Sequence, residues 1–285
     1  MAKFAESAVR LLAGQDAFPL PRVIRTRYPI VLMHGFGVLA GMRRGGHLYA
    51  AATFLRMHGV LAFAPNVAPY NTVSFRSSMW ADRLADIRDQ TGASKVNLIA
   101  HSMGGLDARW MIAKRGMHDT IASVTTVSTP HHGTYIADYV LSQPERIREI
   151  LANLADWVGA HAVAGGEADF RTALSELTLE HVSTAFNPAI ENHPDVRYAS
   201  YAGAAGKGTE TPINPILKIG NSILYAAEGP NDGIVSVESA KWGRFEETLE
   251  ADHAAQVGLS LGINSRFSSN DFYLRLVLEL AKDGC

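Results

Sequence analysis

Short apolar runs alternate along the chain with longer segments of helical spacing. Tyr28–Met33 (YPIVLM) is one run, closed by His34-Gly35. His47–His58 has helical spacing and ends at Gly59, a suitable C-cap. Val60–Val67 (VLAFAPNV) is the next run. Arg76–Thr91 is amphipathic: Met79, Leu84 and Ile87 oppose Arg83, Asp86 and Arg88, and Gly92 stops it. Lys95–Ala100 (KVNLIA) reads as a buried strand, Met103–Arg115 as a helix, and Ile121–Ser128 as a β-branched strand. This rhythm predicts an α/β fold of βαβ units around a mostly parallel sheet flanked by helices. Strands covered on both faces account for the near-continuous apolar runs.

From about Tyr135 to Phe186 the rhythm breaks. Two helical blocks, IREILANLADWVGAHAVAGG and FRTALSELTLEHV, fill this stretch. It is expected to form a helical cap or lid, about 135–186, over the carboxyl edge of the sheet, where open α/β folds place ligands. Val196–Gly203 returns to strand character, and Asn270–Ala281 is a closing helix. The whole, 1–285, is expected to be a single domain. Residues 1–15 predict an amphipathic helix with Phe4, Ala8, Leu11 and Leu12 on one face. Glu6 and Arg10 interrupt the apolar core that a signal peptide needs.

Composition narrows the function. Hydrophobic residues make up 47% and charged residues 19% of the 285, which is globular and not disordered. The net charge of -2 lacks the basic footprint of a nucleic-acid binder. The only cysteine is Cys285, so no internal disulfide and no Cys-based zinc site can form. The longest uncharged apolar stretches are broken by Gly and Pro, short of the roughly 20 residues of a transmembrane helix.

The chemistry concentrates at Ala100-His101-Ser102-Met103-Gly104. It follows a strand and opens a helix, the setting of a nucleophile elbow. A second match, Gly258-Leu259-Ser260-Leu261-Gly262, has no strand before it and no His after it. Only Ser102 allows the chain order Ser, Asp, His. A serine needs a base to accept its proton. His253 is the one His after residue 200. Asp232, in Gly229-Pro230-Asn231-Asp232-Gly233 after the strand-like ILYAA, is the candidate to orient it; Asp252 is the rival, poorly placed to reach its own neighbour. An oxyanion hole needs two backbone N–H groups. Met103, after the nucleophile, and Phe36, in the His34-Gly35-Phe36-Gly37 loop, are the candidates.

These residues resemble the α/β-hydrolase superfamily, and within it the bacterial true lipases. The resemblance runs from about Tyr28 to Gly258, on YPIVLMHGF, KVNLIAHSMGG, VSTPHHGTYIAD, LSELTLEHVSTAFN and GPNDGIVSV with the later Asp252-His253. It implies an α/β-hydrolase fold and a carboxylic ester hydrolase acting on acylglycerols. Ser102, Asp232 and His253 would be its triad, Phe36 and Met103 its oxyanion donors, and a lipid or ester its partner; the net charge and apolar cap permit contact with a lipid interface without requiring it. Short-chain esterase, polyester hydrolase and acyltransferase activities use the same triad. A lyase would use the same fold for another reaction. No cofactor is required by this chemistry. Relatives commonly hold a structural calcium with a carboxylate two residues after the catalytic His; that position here is Ala255. Arg43 and Arg44 in a Gly-rich loop either shape the acyl pocket or form a surface loop, the second being the simpler reading, and His131 and His132 are read as hydrogen-bonding residues and not zinc ligands. Leu151, Leu154 and Trp157 are expected to pack in the cap or face substrate.

Overall fold

The computed structural model describes residues 23–37, 48–143, 167–259 and 266–285. The predicted N-terminal helix, the Arg43-Arg44 loop, Leu151, Leu154, Trp157 and Ser260 lie outside these residues.

Six parallel strands make one sheet in the order β2-β1-β3-β4-β5-β6. They are β1 (Ile30–Met33), β2 (Ala62–Phe63), β3 (Val96–His101), β4 (Ile121–Val127), β5 (Arg197–Gly203) and β6 (Arg244–Leu249). The main helices are α1 (Leu48–Met57), α2 (Val73–Thr91), α3 (Gly104–Arg115), α4 (Tyr135–Ser142), α5 (Glu167–Ser175), α6 (Lys218–Glu228), α7 (Val237–Ala240) and α8 (Ser269–Lys282). Helical turns also cover 179–189.

Strand periodicity divides the core in two. Ile30 and Leu32 pack with Leu48, Leu55, Phe272 and Leu276 from α1 and α8. Val31 and Met33 face the other way, onto Trp80, Leu84 and Met111 from α2 and α3. A third apolar cluster ties Leu174, Leu177 and Phe186 to Val73, Met103 and Leu106. It seats the described part of the segment between β4 and β5 over the start of α3.

Two expectations need correction. The apolar stretch ILYAA lies within helix α6 and is not a strand. A short apolar run carries no period that separates the two, and here Leu224 is buried on one helical face. The strand β6, RFEETL, carries no apolar run that marks it as a strand. As an edge strand it buries only Leu249, so its sequence is largely polar. The run at 60–67 contributes only a two-residue strand, since Pro65 has no N–H for a ladder.

Candidate active site

The turn between β3 and α3 holds Ser102 at φ 56°, a left-handed conformation unusual for any residue but glycine. Its neighbours enforce it. The Ser102 N–H donates to Val127 O at 2.9 Å, and its carbonyl accepts from Thr129 Oγ1 at 2.7 Å. Space is so short that Gly35 cannot carry a side chain: a Cβ there would lie 2.5 Å from Ser102 Cβ and 2.9 Å from Met103 N. At Gly104 a Cβ would meet His34 O at 2.9 Å. The Gly35-Phe36 backbone therefore lies against the elbow, close to the head of α3, where backbone N–H groups lack helical partners.

His34 sets this loop. Its Nε2 accepts from the Val67 N–H at 3.1 Å, so Nδ1 carries the proton and donates to Gly35 O at 2.9 Å. The His34 carbonyl accepts from Arg76 Nη2 at 2.8 Å. Arg76 and Asp107, both fully buried, form an ion pair through Nε and Nη2 at 3.0 and 2.8 Å, and Trp80 Nε1 adds a third donor to the same oxygen. One buried pair thus joins α2, α3 and the loop that carries Phe36.

The other half comes from the loops after α6 and β6. His253 Nδ1 lies 2.7 Å from Asp232 Oδ2, and the His253 N–H donates to Asp232 O at 2.9 Å. Asp232 is fully buried. Its Oδ1 accepts from the Ile234 and Val235 N–H groups at 3.0 and 2.8 Å, and Gln256 Nε2 donates to Oδ2 at 2.9 Å. Burial opposes its ionisation, but the charge and hydrogen bond of His253, with the Val235 N–H, hold its carboxyl below the usual range. Asp252 does not touch His253's ring nitrogens; it caps the turn, accepting from the Ala254 and Ala255 N–H groups on Oδ1 and from the Asn214 N–H on Oδ2.

Ser102, His253 and Phe36 open onto one cavity of about 260 Å³. Its walls are mostly apolar, including Ile136, Leu177, Ile216 and Val257. The structure brings all five sequence-derived residues to this place: Ser102, His253 and Phe36 on the cavity, Asp232 behind the histidine, Met103 at the helix start. A base behind a serine, backed by a carboxylate, can take the serine's proton and return it. Gln256 escaped sequence reasoning, because a lone Gln after Ala255 carries no motif.

The model of the alpha/beta hydrolase fold matches residues 60–157. A triacylglycerol lipase of Vibrio cholerae is 30% identical over 286 residues, 90% of this chain and 89% of its own. The chain belongs to the α/β-hydrolase lipase family. A triacylglycerol lipase of Pseudomonas fragi is 28% identical over 300 residues, covering 92% of this α/β-hydrolase and 98% of its own length. Among solved structures, the mature Bacillus licheniformis lipase aligns with a TM-score of 0.66 at 22% identity, over 91% of this chain and 96% of that one; it agrees in fold.

The calcium site that the resemblance implies can be tested against the residues present. Ala255 offers no ligand, and the nearby Asp252 carboxylate already accepts three backbone N–H bonds. Among the described residues no three His, Cys, Asp or Glu side chains gather as a metal site. The residues present do not fit the usual calcium site. His131 is spoken for as well. Arg109 Nη1 lies 3.3 Å from its Nδ1 and Thr126 Oγ1 lies 3.0 Å from its Nε2.

Proposed function

We propose that this lipase-family enzyme hydrolyses carboxylic esters, acylglycerols foremost, through an acyl-enzyme on Ser102. The observation that carries the proposal is the His253–Asp232 pair at 2.7 Å, whose histidine shares one apolar cavity with the left-handed Ser102. His253 takes the proton of Ser102 Oγ through Nε2, since Nδ1 is engaged by Asp232. Ser102 Oγ attacks the ester carbonyl. The Phe36 and Met103 N–H groups hold the oxyanion, a contribution of about 3–4 kcal/mol per donor to the barrier. His253 then protonates the leaving alcohol. Water enters, His253 takes its proton, and the same steps in reverse order free the acid. Asp232 stabilises the imidazolium without itself becoming protonated.

An apolar cavity beside the serine suits an acyl chain, and the named activity of the Vibrio and Pseudomonas relatives agrees with that substrate class. The segment 135–186, whose described part packs beside the serine, is taken to cap the cavity.

The test is hydrolysis of p-nitrophenyl esters from acetyl to palmitoyl, and of emulsified triolein, with Ser102→Ala alongside. Activity on long chains and triolein, reduced at least about 10³-fold in the variant, is expected. Hydrolysis confined to acetyl and butyryl esters would make it a short-chain esterase. More than a few per cent residual activity in Ser102→Ala would remove the serine from the mechanism.

A further inference from the structure

Gln256 is wholly buried, and its hydrogen bonding is lopsided. Nε2 donates to Asp232 Oδ2 at 2.9 Å, with a second, longer approach to Ala251 O at 3.5 Å. Oε1 meets no donor among the described residues. The reverse amide orientation would set an oxygen against a carboxylate, so the assignment follows from charge. A buried amide oxygen without a partner costs stability. A residue kept only for packing would serve better as an apolar side chain. What the amide does provide is a donor on the same oxygen that His253 uses.

The seat is shaped for it. A Cβ at Gly203, the last residue of β5, would collide with Gln256 Nε2 and come within 3.0 Å of Asp232 Cβ. The base of the seat is Asp252. It ties the start of the turn bearing Gln256 to Asn214, 38 residues away in sequence, by a 2.8 Å bond. The Gln256 N–H in turn donates to Asp252 O at 3.2 Å. His253 shares Asp232 Oδ2 with Gln256 and follows Asp252 directly in the chain, with its ring tilted against His101 at 4.4 Å between centroids.

We propose that Gln256 and Asp252 form a clamp of positioning residues, which fixes the His253 loop and the Asp232 carboxylate without a metal ion. The proposal rests on the assignment of His253 and Asp232 as base and orienting acid. Gln256 sets which way the carboxylate points, and Asp252 sets where the histidine backbone sits. The calcium of related enzymes is replaced by hydrogen bonds from the chain itself, at the place where Ala255 offers no ligand.

The experiment compares wild type with Gln256→Met, Gln256→Glu, Asp252→Asn and Ser102→Ala. Each is assayed on p-nitrophenyl butyrate across pH 5–9, with thermal melting in EDTA and in calcium. Wild type is expected to keep its kcat and Tm in both media. Gln256→Met should melt near wild type, with kcat about tenfold lower and KM within twofold. Gln256→Glu sets a second carboxyl against Asp232; added negative charge favours the imidazolium, so the acid limb of kcat/KM should move to higher pH by about one unit. Asp252→Asn should lower both Tm and kcat, since an amide cannot accept all three N–H bonds. Wild-type kcat and pH profile in both Gln256 variants would overturn the proposal, even with Ser102→Ala inactive. So would a wild-type Tm that falls in EDTA and returns with calcium. Full activity in Ser102→Ala would instead overturn the assignment beneath it.

Discussion

His131 is neutral in the folded chain, and its surroundings explain why. Burial disfavours the charged form first, and the Arg109 and His132 charges add to it, so its pKa falls well below the usual 6.5. Arg109 donates to Nδ1; Nε2 must then carry the proton to Thr126 Oγ1, and Thr126 donates onward to Ala199 O at 3.3 Å. The unfolded chain binds a proton at this residue below about pH 6.5 and the folded chain does not. Stability present above pH 6.5 is therefore lost as pH falls from there. His131→Gln should show a shallower loss of urea midpoint between pH 7 and pH 5, from a starting stability about 1–3 kcal/mol lower. A slope equal to wild type would assign the acid sensitivity elsewhere. Arg109 itself, desolvated against the Trp242 ring at 3.7 Å, has its pKa lowered to about 9. At this scale the sequence exposes Ser102, Asp232 and His253, because chain order and turn chemistry mark them. It conceals Gln256 and Arg109, whose roles depend on neighbours distant in sequence.

Among elements, α2 and α3 are held by charge as well as by apolar packing. Arg76 reaches Asp107, His34 O and Ala68 O from one guanidinium, the last at 2.6 Å. Removing the cation alone leaves a carboxylate buried without its counter-charge. Arg76→Met should cost about 3–5 kcal/mol in urea unfolding, and Arg76→Met with Asp107→Leu should recover much of it. If the single variant loses under 1 kcal/mol, the pair does not hold the two helices. The element pattern was legible where both faces of a strand are covered, as in β1, β3 and β4. It failed where that condition fails. β6 hides in RFEETL because its burial is one-sided, and α6 passed for a strand because ILYAA is too short to show its period. Thr72, which caps α2 by accepting from the Phe75 N–H at 3.2 Å, starts that helix three residues before the amphipathic pattern does.

Over the whole molecule, the sheet order puts the carboxyl ends of β1 and β3 and the loops after β4 and β6 around one cavity. That convergence is a property of parallel topology, and the strand–helix rhythm alone announced it. The size of the cavity is not legible in the sequence, because its walls come from α4, the end of α5 and the 214–217 turn, which meet only in three dimensions. Ile136 on α4 lines it. Ile136→Trp should lower kcat/KM for palmitoyl esters at least about tenfold and leave acetyl esters within a few-fold, the discrimination a few methylenes can supply. Equal loss on both would place Ile136 away from the acyl chain. The open side of the sheet carries its own consequence. Strand β6 ends the sheet with outward Arg244 and Glu246 paired to each other, and Glu247 paired to Arg275. Wherever copies of a chain meet at high local density, a bare strand edge would recruit a neighbouring strand. Here a newcomer would have to strip water from charges already matched, so this edge resists strand-to-strand association between copies.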